Sequence, residues 1–166
     1  MDTASAETLA PNETKTDRRS ERELVVTRTF NAPARRVFEA WTQPEQLERW
    51  WTPKSFGITF LSCDVDPRPG GTYRFVFAHP ESGEPMAFVG RYLEVEPPSR
   101  LVWTNEEGDD GAVTTVTLEE RDGKTHLTLQ DLYPSREALD EALASESVSG
   151  YPEQFDELEA VLKTLN

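Results

Sequence analysis

TFNAPARRVFEAWTQPEQLERWWTP, residues 29–53, is the stretch that decides the fold of this chain. Pro33 and Pro44 each begin a short helical pattern, because proline is tolerated in the first turn of a helix. Asn31 is predicted to cap the first helix with its side-chain oxygen. The apolar residues of each pattern fall on one helical face: Val37, Phe38 and Trp41, then Leu47, Trp50 and Trp51. The stretch therefore predicts a bent helix pair that crosses the open end of a curved sheet.

Strand patterns lie on both sides of the helix pair. ELVVTRTF, residues 23–30, precedes it and is rich in β-branched residues. Six strand-like segments follow it: FGITFLSCDV, TYRFVF, MAFVGRYLEV, RLVWTN, AVTTVTLEER and KTHLTLQDLY. Asp122-Gly123 separates the last two and is a strong hairpin signal. Because the connections are short, the six segments predict an antiparallel meander.

The C-terminal part of the chain is predicted to be helical. Ser135 is placed to cap a short helix over REALDEALAS. After a break at residues 147–150, a final helix of about four turns is expected. Its apolar stripe has the spacing of one helical face: Tyr151, Phe155, Leu158, Val161, Leu162 and Leu165.

Composition limits the classes of function. The chain has 166 residues and a net charge of -14, so its surface repels nucleic acid and anionic membranes. It contains no apolar run as long as a membrane span, which takes about 20 residues. Residues 1–22 are polar and predict a disordered tail, with one domain over 23–166. The single cysteine, Cys63, fits a reducing compartment, so we expect a cytoplasmic protein. The sequence leaves the oligomeric state open.

The order strand, helix pair, six strands and long helix resembles the helix-grip fold of the START-like, birch-pollen-allergen-like superfamily, SRPBCC. Within it, the chain is similar to the domain family named for activators of heat shock protein 90 ATPase. The matching segments are FNAPARRVFEAWTQPEQLERWW, DPRPGGTYRFVF, GRYLEVEPPSRLVWT, VTLEERDGKTHLTL and GYPEQFDELEAVL. This resemblance implies an α+β, β-α-α-β6-α fold whose curved antiparallel sheet wraps around a long C-terminal helix.

In a helix-grip fold, the sheet and the terminal helix enclose a cavity. The predicted liners are aromatic, with Trp50 or Trp51 at the entrance: Trp50, Trp51, Phe75, Phe77, Phe88, Tyr92, Trp103, Tyr151 and Phe155. The polar groups expected to reach the cavity are Tyr73, Tyr92, Tyr151 and Arg74. Arg68 is a further polar candidate, as a contact for an anionic ligand, and its alternative is a turn ion pair with Asp64 or Asp66. The competing interpretation is that the rings fill a solid core.

The sequence predicts no catalytic residue, no metal site and no cofactor. His79 and His126 stand apart from each other, and His126 alternates with Leu127 and Leu129, which points it away from their face. Cys63 is interpreted as a packed thiol, and the acidic segment NEEGDDG, residues 105–111, lacks the spacing of a calcium loop.

Three hypotheses follow. The first is a non-enzymatic domain that binds a small hydrophobic ligand. The second, which the resemblance implies, is a module that acts on a chaperone in the stress response. The third is an enzyme of the polyketide-cyclase or hydrolase kind, which requires a perturbed Asp, Glu or His inside the cavity.

Overall fold

The computed structural model describes residues 14–51, 59–105, 112–144 and 151–163. Within these ranges, one antiparallel sheet has eight strands: β1 Lys15–Arg18, β2 Glu23–Phe30, β3 Thr59–Val65, β4 Thr72–Ala78, β5 Pro85–Glu96, β6 Arg100–Thr104, β7 Val113–Arg121 and β8 Lys124–Leu132. Their order in space is β1-β2-β8-β7-β6-β5-β4-β3. Strands β3 to β8 pair in chain order, which confirms the predicted meander, and β2 lies beside β8.

The helix pair follows β2 and consists of α1, Ala34–Thr42, and α2, Pro44–Trp50. Pro44 is the first residue of α2, as predicted. The predicted cap at Asn31 is wrong, because α1 begins after Pro33 without a side-chain cap from its own segment. Instead, the carboxylate of Glu120 on β7 accepts a 2.9 Å hydrogen bond from the backbone N–H of Ala34. The sheet itself therefore supplies the anion that the start of this helix favours.

Two helices follow the meander: α3, Arg136–Ala144, and α4, Tyr151–Lys163. The Ser135 hydroxyl caps α3 by accepting a 3.1 Å hydrogen bond from the backbone N–H of Ala138. Helix α4 packs its apolar stripe onto the sheet, and the rings of Phe155 and Phe30 meet at 5.9 Å between centroids. The α+β helix-grip fold is confirmed. The predicted break at residues 147–150, and Leu165, lie outside the described residues.

The N-terminal segment differs from the predicted disordered tail at residues 15–18. These residues form the short edge strand β1, which pairs antiparallel with β2. Its side chains are exposed and polar, so hydropathy does not reveal the strand. Backbone hydrogen bonds to β2 stabilise it instead. Residues 1–13 lie outside the described residues. Among the described helices, none is long and apolar enough to cross a membrane.

Candidate functional site

The candidate site is a crevice between the helix pair and the middle of the sheet. Helices α1 and α2 cover it from one side, and β4, β5 and β6 form the other. Seven side chains line it, of which six are aromatic and six are buried: Trp41, Leu47, Trp51, Tyr73, Phe75, Tyr92 and Trp103. The space left for a water-sized molecule is about 10 Å³. This is roughly the volume that one water occupies, so side chains fill the crevice in this conformation.

The crevice gathers only some of the predicted liners. Trp51, Phe75, Tyr92 and Trp103 line it, whereas Trp50, Phe77, Phe88, Tyr151 and Phe155 do not. The cavity was expected between the sheet and the terminal helix. The crevice in the structure lies elsewhere, because none of its lining residues belongs to α4. The apolar stripe of α4 is packed in the core, where Phe155 and Leu158 are fully buried. Phe88 is 41% exposed and lies beside Phe77, with ring centroids 5.2 Å apart.

The three tryptophans in and next to the helix pair differ in burial and in what they contact. Trp50, expected at an entrance, is fully buried, and its Nε1–H donates a 2.9 Å hydrogen bond to the carbonyl of Ala40. Trp51 follows the end of α2, and its side chain is half-buried and packs 5.1 Å from Phe75 between ring centroids. Of the two rings expected at the rim, Trp51 alone reaches the crevice. The helical pattern in the sequence places Trp50 and Trp51 on one face, so it could not predict which of them reaches the crevice.

Trp41, which the helical pattern places in the core, is also a lining residue. It is 4% exposed, and its indole Nε1 has no hydrogen-bond partner among the described residues. An unpartnered donor in a protein interior is rare and costs about 1–3 kcal/mol. The surrounding rings include Trp103 and Phe155, with centroids 5.7 and 6.3 Å from that of Trp41.

Tyr73 forms a polar corner of the crevice. Its hydroxyl donates a 2.8 Å hydrogen bond to the carbonyl of Thr104 on β6, across the intervening strand β5. This path passes over Gly90, the register partner of Tyr73 on β5. A Cβ atom at position 90 would stand 2.0 Å from the Thr104 carbonyl oxygen and 2.6 Å from the Tyr73 ring. The absence of a side chain at Gly90 thus lets Tyr73 lie flat across the sheet.

Tyr92 lines the crevice from the middle of the sheet. Its side chain is buried, and burial raises the pKa of its hydroxyl, with Cys63 and Asp66 adding to the shift. Cys63 lies opposite Phe75 on the edge strand β3. Burial, together with Glu48, Asp64 and Glu45, raises the pKa of the Cys63 thiol to about 12. The thiol is therefore protonated at neutral pH, which supports the interpretation of Cys63 as a packed side chain.

A buried carboxyl group lies two strands away from Trp103. Asp131 on β8 accepts hydrogen bonds from the hydroxyls of Thr114, at 2.6 Å, and Tyr151, at 2.8 Å. Burial raises the pKa of Asp131, and these two hydrogen bonds oppose part of the rise. Burial and the neighbouring Asp131 also raise the pKa of Tyr151. Asp131 does not line the crevice, and each of its oxygens already has a donor. It therefore connects the start of α4 to the sheet.

Arg28 is a second buried charged residue outside the crevice. It lies on β2 among apolar residues that face α4, and it is 5% exposed. Its guanidinium contacts the carboxylates of Asp156, at 2.6 Å, and Glu159, at 3.4 Å. It also lies 5.3 Å from the centroid of the Phe30 ring. An arginine in the interior of a strand that is otherwise mostly apolar and β-branched is a signal that could have predicted such an ion pair.

Of the polar candidates, Tyr73 and Tyr92 line the crevice, whereas Tyr151, Arg68 and Arg74 do not. The Arg68 guanidinium contacts the carboxylate of Asp66 at 2.8 Å in an exposed turn, which is its structural alternative. Arg74 is exposed on β4, out of phase with its buried neighbours Tyr73 and Phe75. His126 is exposed, as its alternation with the leucines predicts. In the part of the chain that the structure describes, no group of three His, Cys, Asp or Glu side chains is placed to hold a metal ion.

The fold and the aromatic crevice define a helix-grip domain. The model of one family, Activator of Hsp90 ATPase homolog 1-like protein, matches residues 31–163, and the chain belongs to this family. The resemblance stated from the sequence is thus confirmed.

Solved structures from bacteria share the fold. A protein from Rhodobacter sphaeroides is 28% identical, with a TM-score of 0.84 over 93% of this chain and 100% of the other. A protein from Nitrosomonas europaea is 25% identical, with a TM-score of 0.80 over 87% and 96%. A protein from Chromobacterium violaceum is 30% identical, with a TM-score of 0.68 over 84% and 96%. No curated protein matches the chain.

Proposed function

We propose that this chain binds a small, largely apolar ligand in the crevice between the helix pair and β4–β6. The observation that carries the proposal is the lining, which is almost entirely aromatic and has one wall that is not buried. That wall is the ring of Trp51. Small-molecule sites in proteins have this character, with a concave apolar surface and a few polar groups.

Entry of a ligand requires the Trp51 ring to move, because only about 10 Å³ is free in the closed conformation. The backbone of Trp51 is held in place, since its carbonyl accepts a hydrogen bond from the side-chain amide of Gln154 on α4. The side chain is the part that moves. Apolar burial by the ligand, at about 25 cal/mol per Å², replaces the burial that the Trp51 ring gives up. The net affinity is therefore modest for a ligand no larger than this ring.

The test is a screen of the wild-type protein with lipids, aromatic polyketides and flavonoid-type compounds, followed by NMR. A ligand is expected to shift the backbone signals of α1, α2 and β4–β6 and to quench tryptophan fluorescence. Trp51→Ala enlarges the crevice and should bind naphthalene more tightly than the wild type does, as engineered apolar cavities bind benzene. Phe88→Ala is the matched control, because Phe88 is an aromatic residue of the same sheet outside the crevice. If Trp51→Ala binds ligands and the wild type binds none, the crevice is packing and not a native site.

A second candidate function comes from the family description. The chain would act on a chaperone of the heat shock protein 90 type, and its acidic surface would favour a basic partner face. The experiment is an ATPase assay with the chaperone of the same organism at rising salt concentration. We expect stimulation that weakens with salt. An ATPase rate that the protein leaves unchanged at low salt would contradict this candidate.

A further inference from the structure

We propose that the ligand of the crevice carries a neutral oxygen acceptor, such as a ketone or ester carbonyl, which accepts a hydrogen bond from the indole N–H of Trp41. This inference rests on the ligand-binding function proposed above and specifies the chemistry of the ligand. It starts from the one lining side chain whose buried donor has no partner among the described residues.

Trp41 differs from its neighbour Trp50 in two ways: it lines the crevice, and its Nε1–H has no hydrogen-bond partner among the described residues. The two rings pack against each other with centroids 4.7 Å apart, in the same helix pair. Trp50 does not line the crevice, and its Nε1–H reaches the carbonyl of Ala40 at 2.9 Å. Trp41 lines the crevice and is 4% exposed, and its Nε1–H has no such acceptor in the described part of the chain.

The side chains described around the Trp41 ring provide no hydrogen-bond acceptor for its indole N–H. Its ring is surrounded by the rings of Trp50, Trp51, Trp103 and Phe155, with centroids 4.7 to 6.3 Å away. An N–H against an aromatic face makes only a weak interaction. Buried polar groups in native proteins normally have a hydrogen-bond partner, so a buried N–H without one requires an explanation. An oxygen lone pair brought by the ligand would meet it.

The charge of the lining limits the acceptor to a neutral group. None of the seven lining residues is a cation. The whole chain carries a net charge of -14, so a carboxylate would be buried without a counter-ion in an unfavourable field. The hydroxyl of Tyr73, the polar group at the corner, already donates to the carbonyl of Thr104. A carbonyl or ether oxygen on an apolar frame fits these conditions, whereas a fatty-acid head group does not.

Acetophenone and α-methylstyrene form a matched pair of probes, because the second replaces the carbonyl oxygen with a methylene group of similar shape. In ¹H–¹⁵N spectra of the wild-type protein, acetophenone should move the Trp41 indole signal downfield. α-Methylstyrene should shift backbone signals of β4–β6 without that movement. The Trp41 signal is assigned through its contacts with Phe155 and Trp103, so this measurement needs no variant.

Affinities in variants supply the second measurement. Trp41→Phe should weaken acetophenone binding about three- to tenfold more than α-methylstyrene binding, which is the range of one hydrogen bond. Trp50→Phe is the matched control, because it removes an indole whose N–H is already satisfied, and it should leave the ratio of the two affinities unchanged. Benzoate should bind the wild type more weakly than acetophenone at neutral pH.

The outcomes separate the two proposals. If both probes bind, the Trp41 indole signal stays in place and Trp41→Phe weakens both equally, the acceptor inference is wrong and the ligand-binding function stands. Benzoate binding as tight as that of acetophenone would overturn the neutral acceptor. If neither probe binds the wild-type protein at its solubility limit, the ligand-binding function fails, and the inference fails with it.

Discussion

The guanidinium of Arg28 on β2 lies 3.4 Å from the carboxylate of Glu159 on α4, although 131 positions separate the two residues in the chain. Their side chains are 4% and 9% exposed. The same Glu159 carboxylate accepts a hydrogen bond from the backbone N–H of Asn31, where the chain leaves β2 for the helix pair. One buried ion pair thus connects the first long strand, the helix pair and the terminal helix.

Arg28→Met should lower the free energy of unfolding by about 3–5 kcal/mol, because it removes the positive charge that compensates the buried Glu159 carboxylate. The double variant Arg28→Met/Glu159→Leu should recover much of the loss, since it removes both buried charges. The part that is not recovered includes the hydrogen bond that the Asn31 N–H loses. Urea unfolding measures the cycle.

Asp156→Asn is the control for this ion pair. Its carboxylate contacts the same guanidinium but is 70% exposed, so the expected loss is below about 1 kcal/mol. Equal losses for Asp156→Asn and Arg28→Met would mean that burial does not set the strength of these contacts.

Asp131→Asn should change how stability depends on pH. Burial raises the pKa of Asp131 above its value in the unfolded chain, so the folded state binds this proton more tightly. The stability due to this group is therefore present at acidic pH and is lost as pH rises through the folded-state pKa. Asparagine does not titrate. The stability of the variant relative to the wild type should rise from acidic to neutral pH.

Thermal unfolding of both proteins across this pH range gives the measurement for Asp131. Thr114→Val is the control, because it removes one hydrogen bond to Asp131 and leaves the carboxyl group in place. A difference between Asp131→Asn and the wild type that stays constant with pH would contradict the raised pKa.

The Cys63 thiol should react slowly with iodoacetamide in the folded protein. Burial raises its pKa to about 12, so at pH 8 its thiolate fraction is roughly a thousandfold lower than that of an ordinary cysteine. The folded rate should keep rising with pH beyond pH 10. The control is the same chain in concentrated urea, where the rate should level off near the ordinary thiol pKa. Levelling at that pH in the folded protein would show an unperturbed thiol.

Gly90→Ala should destabilise the protein by about 1–3 kcal/mol or more, because the added methyl group meets the Thr104 carbonyl and the Tyr73 ring. The hydrogen bond between Tyr73 and Thr104 should break, which NMR would detect as a change in the Tyr73 ring signals. Ala87→Ser on the same strand, at an exposed position, should have little effect. A wild-type melting temperature for Gly90→Ala would show that β5 can move to accept the methyl group.

Local patterns in the sequence predicted the elements of the fold, because short-range physics decides them. The hairpin at Asp122 and Gly123 forms with positive φ at both residues, 55° and 77°, as the Asp-Gly pair requires. Pro44 begins α2, and the stripe that starts at Tyr151 becomes α4. Each of these outcomes depends on residues only a few positions apart.

The tertiary structure alone decided which side chains meet. A bulge between Tyr92 and Glu94 shifts the register, so Tyr92 and Val95 both face the core, and simple alternation fails on that strand. The cap of α1 comes from Glu120, and the partner of Arg28 is Glu159, across the fold in both cases. Packing between distant segments places the crevice under the helix pair. The same packing makes Trp51, and not Trp50, its outer wall. Hydropathy spacing carries no information about such contacts, because it records the face of an element and not what that face meets.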